Sequence, residues 1–302
     1  MWIIFTLLAI FFQTIRNLEQ KKLSNKIDAI TASWSRFILP FPLSILAIIY
    51  FYENLNQQFA INIFLNAIFQ SLGNYFLIKS LQQKNYSLAI AFAKTEVIQA
   101  IIVGLIFFNT KINFYEILSI IIAFVGVLMM ININISNKKV FLEKIKNTGN
   151  LYALLCGTCF AITAFNLKSA SQILIDANFN YLISAILVLL FTIFLQNIFY
   201  GAIKIYQKRL ICDLKKLFLA ENILGFLIAG IASFLGSIFW YTAYAIGQVI
   251  YVKTLGQLEV IIAILISAFF LKEQHKKIEL IGILVTLFGI LFLLLHNFIL
   301  HD

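Results

Sequence analysis

Apolar residues fill most of the chain in long runs, with short polar stretches between them. Ten runs read as membrane-crossing helices: 2–17, 30–52, 59–80, 86–108, 114–135, 149–167, 180–200, 222–246, 249–271 and 279–298. About 20 mostly apolar residues span the hydrocarbon core as a helix. The runs lack the period-two alternation of a transmembrane barrel strand, and they are too long for one. The pattern predicts an all-α integral membrane protein with ten transmembrane helices. Pro40 and Pro42, the only prolines, both fall in the second run, where a kink is expected.

The runs repeat. A shift of 163 residues sets Gly73 on Gly236, Phe76 on Phe239, Glu96-Val97-Ile98 on Glu259-Val260-Ile261, Glu116 on Glu279 and Gly126 on Gly289. A shift of 149 aligns the earlier part, with Phe11 on Phe160, Asn17-Leu18 on Asn166-Leu167 and Ser35 on Ser184. The difference is absorbed by a longer loop at 201–221. The chain therefore divides into two five-span halves, 1–136 and 149–298. Five is odd, so the halves must sit in opposite orientations, an arrangement found in transporters with a midplane site.

Composition agrees. The 302 residues are 62% hydrophobic and 12% charged, with mean hydropathy +0.94, whereas soluble domains run near half apolar and a quarter charged. The net charge of +10 is not a nucleic-acid signal, because the cations sort by loop. Loops 1, 3, 5, 7 and 9 hold eighteen of the 23 Lys and Arg, among them Arg16, Lys21, Lys22, Lys84, Lys138, Lys139, Lys144, Lys146, Lys204, Lys272 and Lys276. The even loops hold Lys111 and Lys168. The positive-inside rule makes the odd loops cytoplasmic, with both termini outward, in a bacterial inner membrane. The N-terminal MWIIFTLLAIFF lacks a basic leader region and reads as the first span. Cys156 and Cys159, three apart in an apolar run, read as packing residues; with Cys212 they form no disulfide framework.

Against this apolar background a few ionisable residues stand out. Span 4 carries Lys94, Thr95, Glu96 and Gln99; span 9 carries Lys253, Thr254, Gln257 and Glu259. A charge at the bilayer centre costs roughly 2.5–3.5 kcal/mol on insertion scales, so such residues mark substrate or proton paths unless a purely structural network holds them. On one continuous helix Lys94 and Glu96 lie about 200° apart and cannot pair with each other, so their partners must come from another span or from a ligand. Candidates include the stripe Asn62, Asn66, Gln70 and Asn74 in span 3, and Trp240, Tyr244 and Gln248 with Tyr241 in span 8. Gln13, Arg16 and Asn17 at the end of span 1, and Arg36 in span 2, complete the set. The competing readings are ordinary: amides gluing helices, aromatics packing or forming an interface belt, and Arg36 snorkelling toward loop 1. Glu116 and Glu279 open spans 5 and 10, where a carboxylate favours a helix N-terminus; Glu273 is a loop residue of similar kind.

Taken together, these features resemble the drug/metabolite transporter superfamily, EamA-like branch. The second half ends in FFLKEQHKKIELIGILVTLFGILFLLL, with Glu273 and Gly289 at the family's Glu and Gly. The first ends in IFFNTKINFYEILSIIIAFVGVLMM, with Thr110 where the family often has Glu. Val97 and Val260 stand where many members carry Pro. The resemblance implies a secondary transporter of amino acids, nucleotide-linked metabolites or drugs. Its central cavity would lie between spans 3–4 and 8–9, with help from spans 1, 2, 6 and 7. Both termini of such proteins are usually cytoplasmic, which the charge bias here contradicts.

The expected function is alternating-access transport of a small polar solute, zwitterionic or anionic, such as an amino acid. Arg36, Lys94 and Lys253 would attract a carboxylate or phosphate; Glu96 and Glu259 would pair with them, bind an ammonium or carry a coupling proton. Thr95, Gln99, Gln257, Gln70, Asn74, Trp240 and Tyr244 complete the expected substrate site. A multidrug or toxic-metabolite exporter is the nearest alternative. A channel or a non-transporting scaffold is another class. An intramembrane enzyme lacks support: His275, His296 and His301 lie near span ends, and no nucleophile motif is present. No cofactor and no metal are expected. The partners are the solute, a possible coupling proton and the lipid bilayer, in a monomer or homodimer.

Overall fold

The computed structural model describes residues 1–51, 56–83, 86–110, 112–130, 147–269 and 277–301. These form helices throughout: α1 (Trp2–Ser24), α2 (Ala29–Ile38), α3 (Phe41–Phe51), α4 (Gln57–Gln83), α5 (Tyr86–Ala93), α6 (Glu96–Phe107) and α7 (Phe114–Met130), then α8 (Thr148–Asp176), α9 (Tyr181–Tyr206), α10 (Leu210–Leu217), α11 (Ala220–Ile246), α12 (Val249–Leu255), α13 (Leu258–Phe269) and α14 (Lys277–His301). Among the described residues eight helical stretches are long and apolar enough to cross a membrane, or nine when α2 and α3 count as one bent span. The apolar α7 is shorter, at 17 residues.

The outward faces are the greasy ones. On α14, Leu284, Phe288, Leu291 and Leu295 are all more than half exposed and recur at helical spacing. On α1 the exposed stripe is Ile4, Leu7, Leu8 and Phe11, while Thr6, Thr14, Asn17 and Gln20 are buried. Apolar outside and polar inside is the packing that lipid imposes, because a polar group facing hydrocarbon has no partner.

Helix positions repeat along the chain. The starts of α4, α5 and α7 precede those of α11, α12 and α14 by 163 residues in each case. The packing repeats too: α1 lies along α11, α4 along α8, and α7 along α14. Exchanging the two halves turns the first of these pairs into the second and the third into itself. Close approach is needed between α7 and α14. A Cβ on Gly126 would collide with Thr286, and one on Gly289 would collide with the backbone of Ala123. Position 286 is the 163-residue equivalent of 123, so the same contact is made twice.

The proline kink occurs where expected: α2 and α3 meet at 55°, at the break before Phe41-Pro42. Four other features differ from the sequence reading. Arg16 is not a loop residue: it lies within α1 and is buried, because α1 runs on to Ser24. Span 4 is not one helix but α5 and α6, and span 9 is α12 and α13. Lys168 is not a loop residue: it sits within α8 and donates to the carbonyls of Tyr244 (3.3 Å) and Gly247 (2.5 Å), at the end of α11. There a cation meets the negative end of a helix dipole. The 201–221 segment is mostly helical, with α9 running on to Tyr206 and α10 following. Lys204 is thereby buried, its ammonium bridging Asp28 (2.9 Å) and Asp213 (2.7 Å). Lys84, Lys111, Lys138, Lys139, Lys144, Lys146, Lys272, Glu273, His275 and Lys276 lie outside the described residues.

Glu116 caps α7 as expected, accepting from the backbone N–H of Asn113 at 2.8 Å, and Tyr251 donates its hydroxyl to the other carboxylate oxygen. Cys156 and Cys159 are buried free thiols, and Cys212 is exposed.

Candidate functional site

The two helix breaks build the site. At Lys94-Thr95 the ladder tightens from i−4 to i−3 bonding: Thr95 N–H donates to Phe92 O (3.3 Å) and Ile98 N–H to Thr95 O (3.1 Å). At Gly256-Gln257 the same occurs, with Gln257 N–H to Thr254 O (3.1 Å) and Val260 N–H to Gln257 O (3.0 Å). Such short 3₁₀ pieces inside a helix often mark a functional hinge or a strained sequence. Thr95 reinforces its break by donating its hydroxyl to Phe92 O at 2.8 Å, a bond that competes with the regular ladder. Each break leaves a lysine at the C-terminal end of one short helix and a glutamate in the first turn of the next. Both charges suit the helix dipoles they meet.

The charges then pair across the halves. Lys94 Nζ lies 2.7 Å from Glu259, and Lys253 Nζ lies 3.3 Å from Glu96. Lys94 also reaches Glu96 at 3.4 Å. The expectation that these two cannot pair fails for a physical reason: the tightened turn between them removes the continuous-helix geometry on which the 200° separation rested. Glu259 accepts further bonds from Gln13 Nε2 (2.5 Å) and Asn17 Nδ2 (2.6 Å). All four charged groups are nearly inaccessible, at 1–6% exposed.

Beside this network lies a chamber of about 60 Å³ lined by Arg16, Arg36, Gln70, Lys94, Glu96, Trp240, Tyr244 and Lys253, together with Gln13, Thr163, Ser237 and Tyr241. A recess of about 20 Å³ continues past Lys94 to Asn17 and Glu259. Trp240 and Tyr244 stack at 5.6 Å, with Lys94 5.5 Å from the Trp240 ring and Lys253 5.7 Å from the Tyr244 ring. These cation–π contacts add to the ion pairs. Arg36 enters from α2, donating to Ser233 (2.7 Å) and Ser237 (3.3 Å) on α11 and to Asn74 (3.1 Å) on α4. Asn74 and Ser237 are 163-residue equivalents, so one guanidinium bridges matching positions of the two halves. Gln70 Oε1 accepts from Gln196 (2.8 Å) and Tyr241 (3.0 Å).

Of the residues expected in the site, Arg36, Gln70, Lys94, Glu96, Trp240, Tyr244 and Lys253 border the chamber, and Glu259 borders the recess. Four do not. Thr95 spends its hydroxyl on its own helix, and Asn74 stands behind Arg36 as a supporting acceptor. Gln99 turns toward α8, donating to Leu154 O at 3.3 Å. Gln257 is fully buried with no hydrogen-bond partner for either end of its amide. Gln13, Arg16 and Asn17, noted at the end of span 1, border the chamber or the recess. Ser233 and Ser237 went unread, although the repeat sets them on Gln70 and Asn74.

A buried polar chamber enclosed by apolar membrane helices, with two broken helices bringing opposite charges to it, defines a multi-pass membrane transporter. The family model for the EamA-like transporter family matches residues 1–132 and 147–295. The chain belongs to the EamA-like transporter family, within the drug/metabolite transporter superfamily. A solved structure described only as "Crystal structure of protein" superposes with a TM-score of 0.69, covering 100% of this chain and 99% of that chain at 11% identity. At that identity the likeness is one of fold alone. A search of curated proteins gives no match.

Proposed function

We propose that the chain is a secondary transporter carrying a small polar metabolite, zwitterionic or anionic, across the bacterial inner membrane by alternating access. The observation that carries this reading is the crossed pairing of Lys94 with Glu259 and of Lys253 with Glu96 at equivalent helix breaks. Ion pairs that join two halves can be exchanged for pairs with a solute, and that exchange couples binding to relative motion of the halves. In this reading ten spans form two inverted repeats, 1–136 and 149–298, with α7 crossing the bilayer despite its length and the odd loops in the cytoplasm. Arg36, Lys94 and Lys253 bind the solute's anionic group; Glu96 and Glu259 take its ammonium, if it has one, or a coupling proton. Gln70, Trp240 and Tyr244 shape the chamber.

The test is solute flux into proteoliposomes, with and without an imposed pH gradient. Saturable uptake and counterflow are expected, and loss of both in folded Lys94→Ala and Glu96→Ala proteins. Non-saturable flux would mean a channel, and folded variants with normal flux would remove these residues from the site.

A further inference from the structure

We infer that the chamber takes a compact dianion, a small dicarboxylate or an inorganic or organic phosphate, held chiefly by Arg36 and Arg16. The inference rests on reading the chamber as the solute site, and it narrows the solute class.

The first ground is charge. Chamber and recess are bordered by four cations, Arg16, Arg36, Lys94 and Lys253, and by two carboxylates, Glu96 and Glu259. The lysines and the carboxylates pair with each other. Neither guanidinium forms a direct ion pair with a carboxylate among the described residues; Arg16 reaches Glu259 only through Asn17, which donates to that carboxylate at 2.6 Å. Arg36 donates only to the neutral oxygens of Ser233, Ser237 and Asn74, and Arg16 only to Asn17 Oδ1, at 2.7 and 3.1 Å. Arginine does not shed its proton in proteins. Two positive charges, each on a residue at most 4% exposed, are therefore left in excess at bilayer depth, where an uncompensated charge is costly. A zwitterion brings as much positive charge as negative and leaves that excess untouched. A dianion cancels it.

The second ground is donors without acceptors. Trp240 and Thr163 both border the chamber, and Trp240 Nε1 and Thr163 Oγ1 have no hydrogen-bond partner. Each guanidinium carries five N–H groups, and the bonds above leave some on both residues free. The remaining guanidinium N–H groups, the Trp240 N–H and the Thr163 hydroxyl are able to donate, while the carboxylates are engaged by the lysines, an arrangement that complements an oxyanion. The third ground is size: a chamber of about 60 Å³ has room for about four waters, which suits a compact solute.

The experiment is thermal unfolding and calorimetric titration of the full chain in nanodiscs, at constant ionic strength. The probes are succinate, monomethyl succinate, inorganic phosphate, β-alanine and putrescine. Succinate, phosphate or both should raise the unfolding midpoint saturably, and which of them does so separates carboxylate from phosphate recognition. Monomethyl succinate should bind at least about tenfold more weakly than succinate. Arg36→Gln and Arg16→Gln should each weaken dianion binding by at least about tenfold, as expected when a buried charge pair loses one partner; Arg36→Lys should retain part of it. Should Arg36→Gln fail to fold, the ester comparison on the unaltered protein and Arg16→Gln decide the matter. Binding of β-alanine or putrescine without dianion binding would overturn the inference, as would succinate and phosphate affinities unchanged in folded Arg36→Gln. Saturable flux of a zwitterion with no dianion binding sinks the dianion but leaves the transporter. Dianion binding with no flux of any probe does the reverse.

Discussion

Lys94, at the end of one short helix in the first half, holds its ammonium 2.7 Å from the carboxylate of Glu259, which opens a short helix in the second half. The pair is almost fully buried. It sews the two halves together at the level of their breaks, and it is a contact that any relative motion of the halves must disturb.

Removing one member should leave the other charged and unpaired. Lys94→Met is expected to destabilise the protein by about 3–5 kcal/mol, the usual range for breaking a buried pair. Adding Glu259→Gln should restore a large part of that loss, since a double-mutant cycle isolates the coupling. Thermal or denaturant unfolding in detergent reads the stabilities. Losses in Lys94→Met and Glu259→Gln that simply add in the double variant would show that the two charges do not depend on each other.

The α7–α14 contact should resist enlargement. Gly126→Leu or Gly289→Leu is expected to cost at least the 1–3 kcal/mol typical of overpacking, because the obstructing atoms are Thr286 and backbone rather than flexible side-chain ends. Heating followed by size-exclusion chromatography would detect it. Gly201→Leu is the control, since a Cβ there meets nothing.

The Asp28–Lys204–Asp213 cluster joins the N-terminus of α2 to α9 and α10. Partial burial opposes ionisation of Asp28, but bonds from Thr31 and the nearby Lys204 outweigh it and hold the carboxyl below the usual range. A carboxyl depressed in the folded state stabilises the protein above its unfolded pKa, about 3.9. That contribution is lost as pH falls through the folded value. Unfolding temperature should therefore drop on acidification below about pH 4, and Asp28→Asn should flatten that part of the profile. An unchanged profile in the variant would remove Asp28 from the acid transition.

Orientation can be read from the native cysteines. Cys212 is exposed on α10, while Cys156 and Cys159 are buried. If the odd loops are cytoplasmic, an impermeant maleimide should label inverted membrane vesicles and spare intact spheroplasts. Cys212→Ser should abolish the signal. Labelling of spheroplasts would invert the assignment.

Much of the fold was legible because hydropathy is a local property. Runs of apolar residues such as 180–200 announce a helix wherever they occur in lipid, and Pro40 and Pro42 announce a bend. The fixed 163-residue offset linked Glu96 to Glu259 before any contact was known. The breaks were hidden: AFAKTEV contains neither glycine nor proline, and Gly256 alone is weak evidence. What shaped them was a side-chain bond from Thr95 and charges placed to suit two helix ends.

The sequence by itself determined that this chain lives in a membrane, repeats itself, and carries buried charge in both halves, since composition and spacing suffice for each. Tertiary structure decided which charge meets which. It crossed Lys94 to Glu259 and Lys253 to Glu96, left Arg16 and Arg36 with neutral hydrogen-bond partners, turned Gln99 toward α8, and buried Gln257 outside the chamber lining. Those outcomes depend on how helices far apart in the chain pack side by side, and on turns of a few residues that change which way a side chain points.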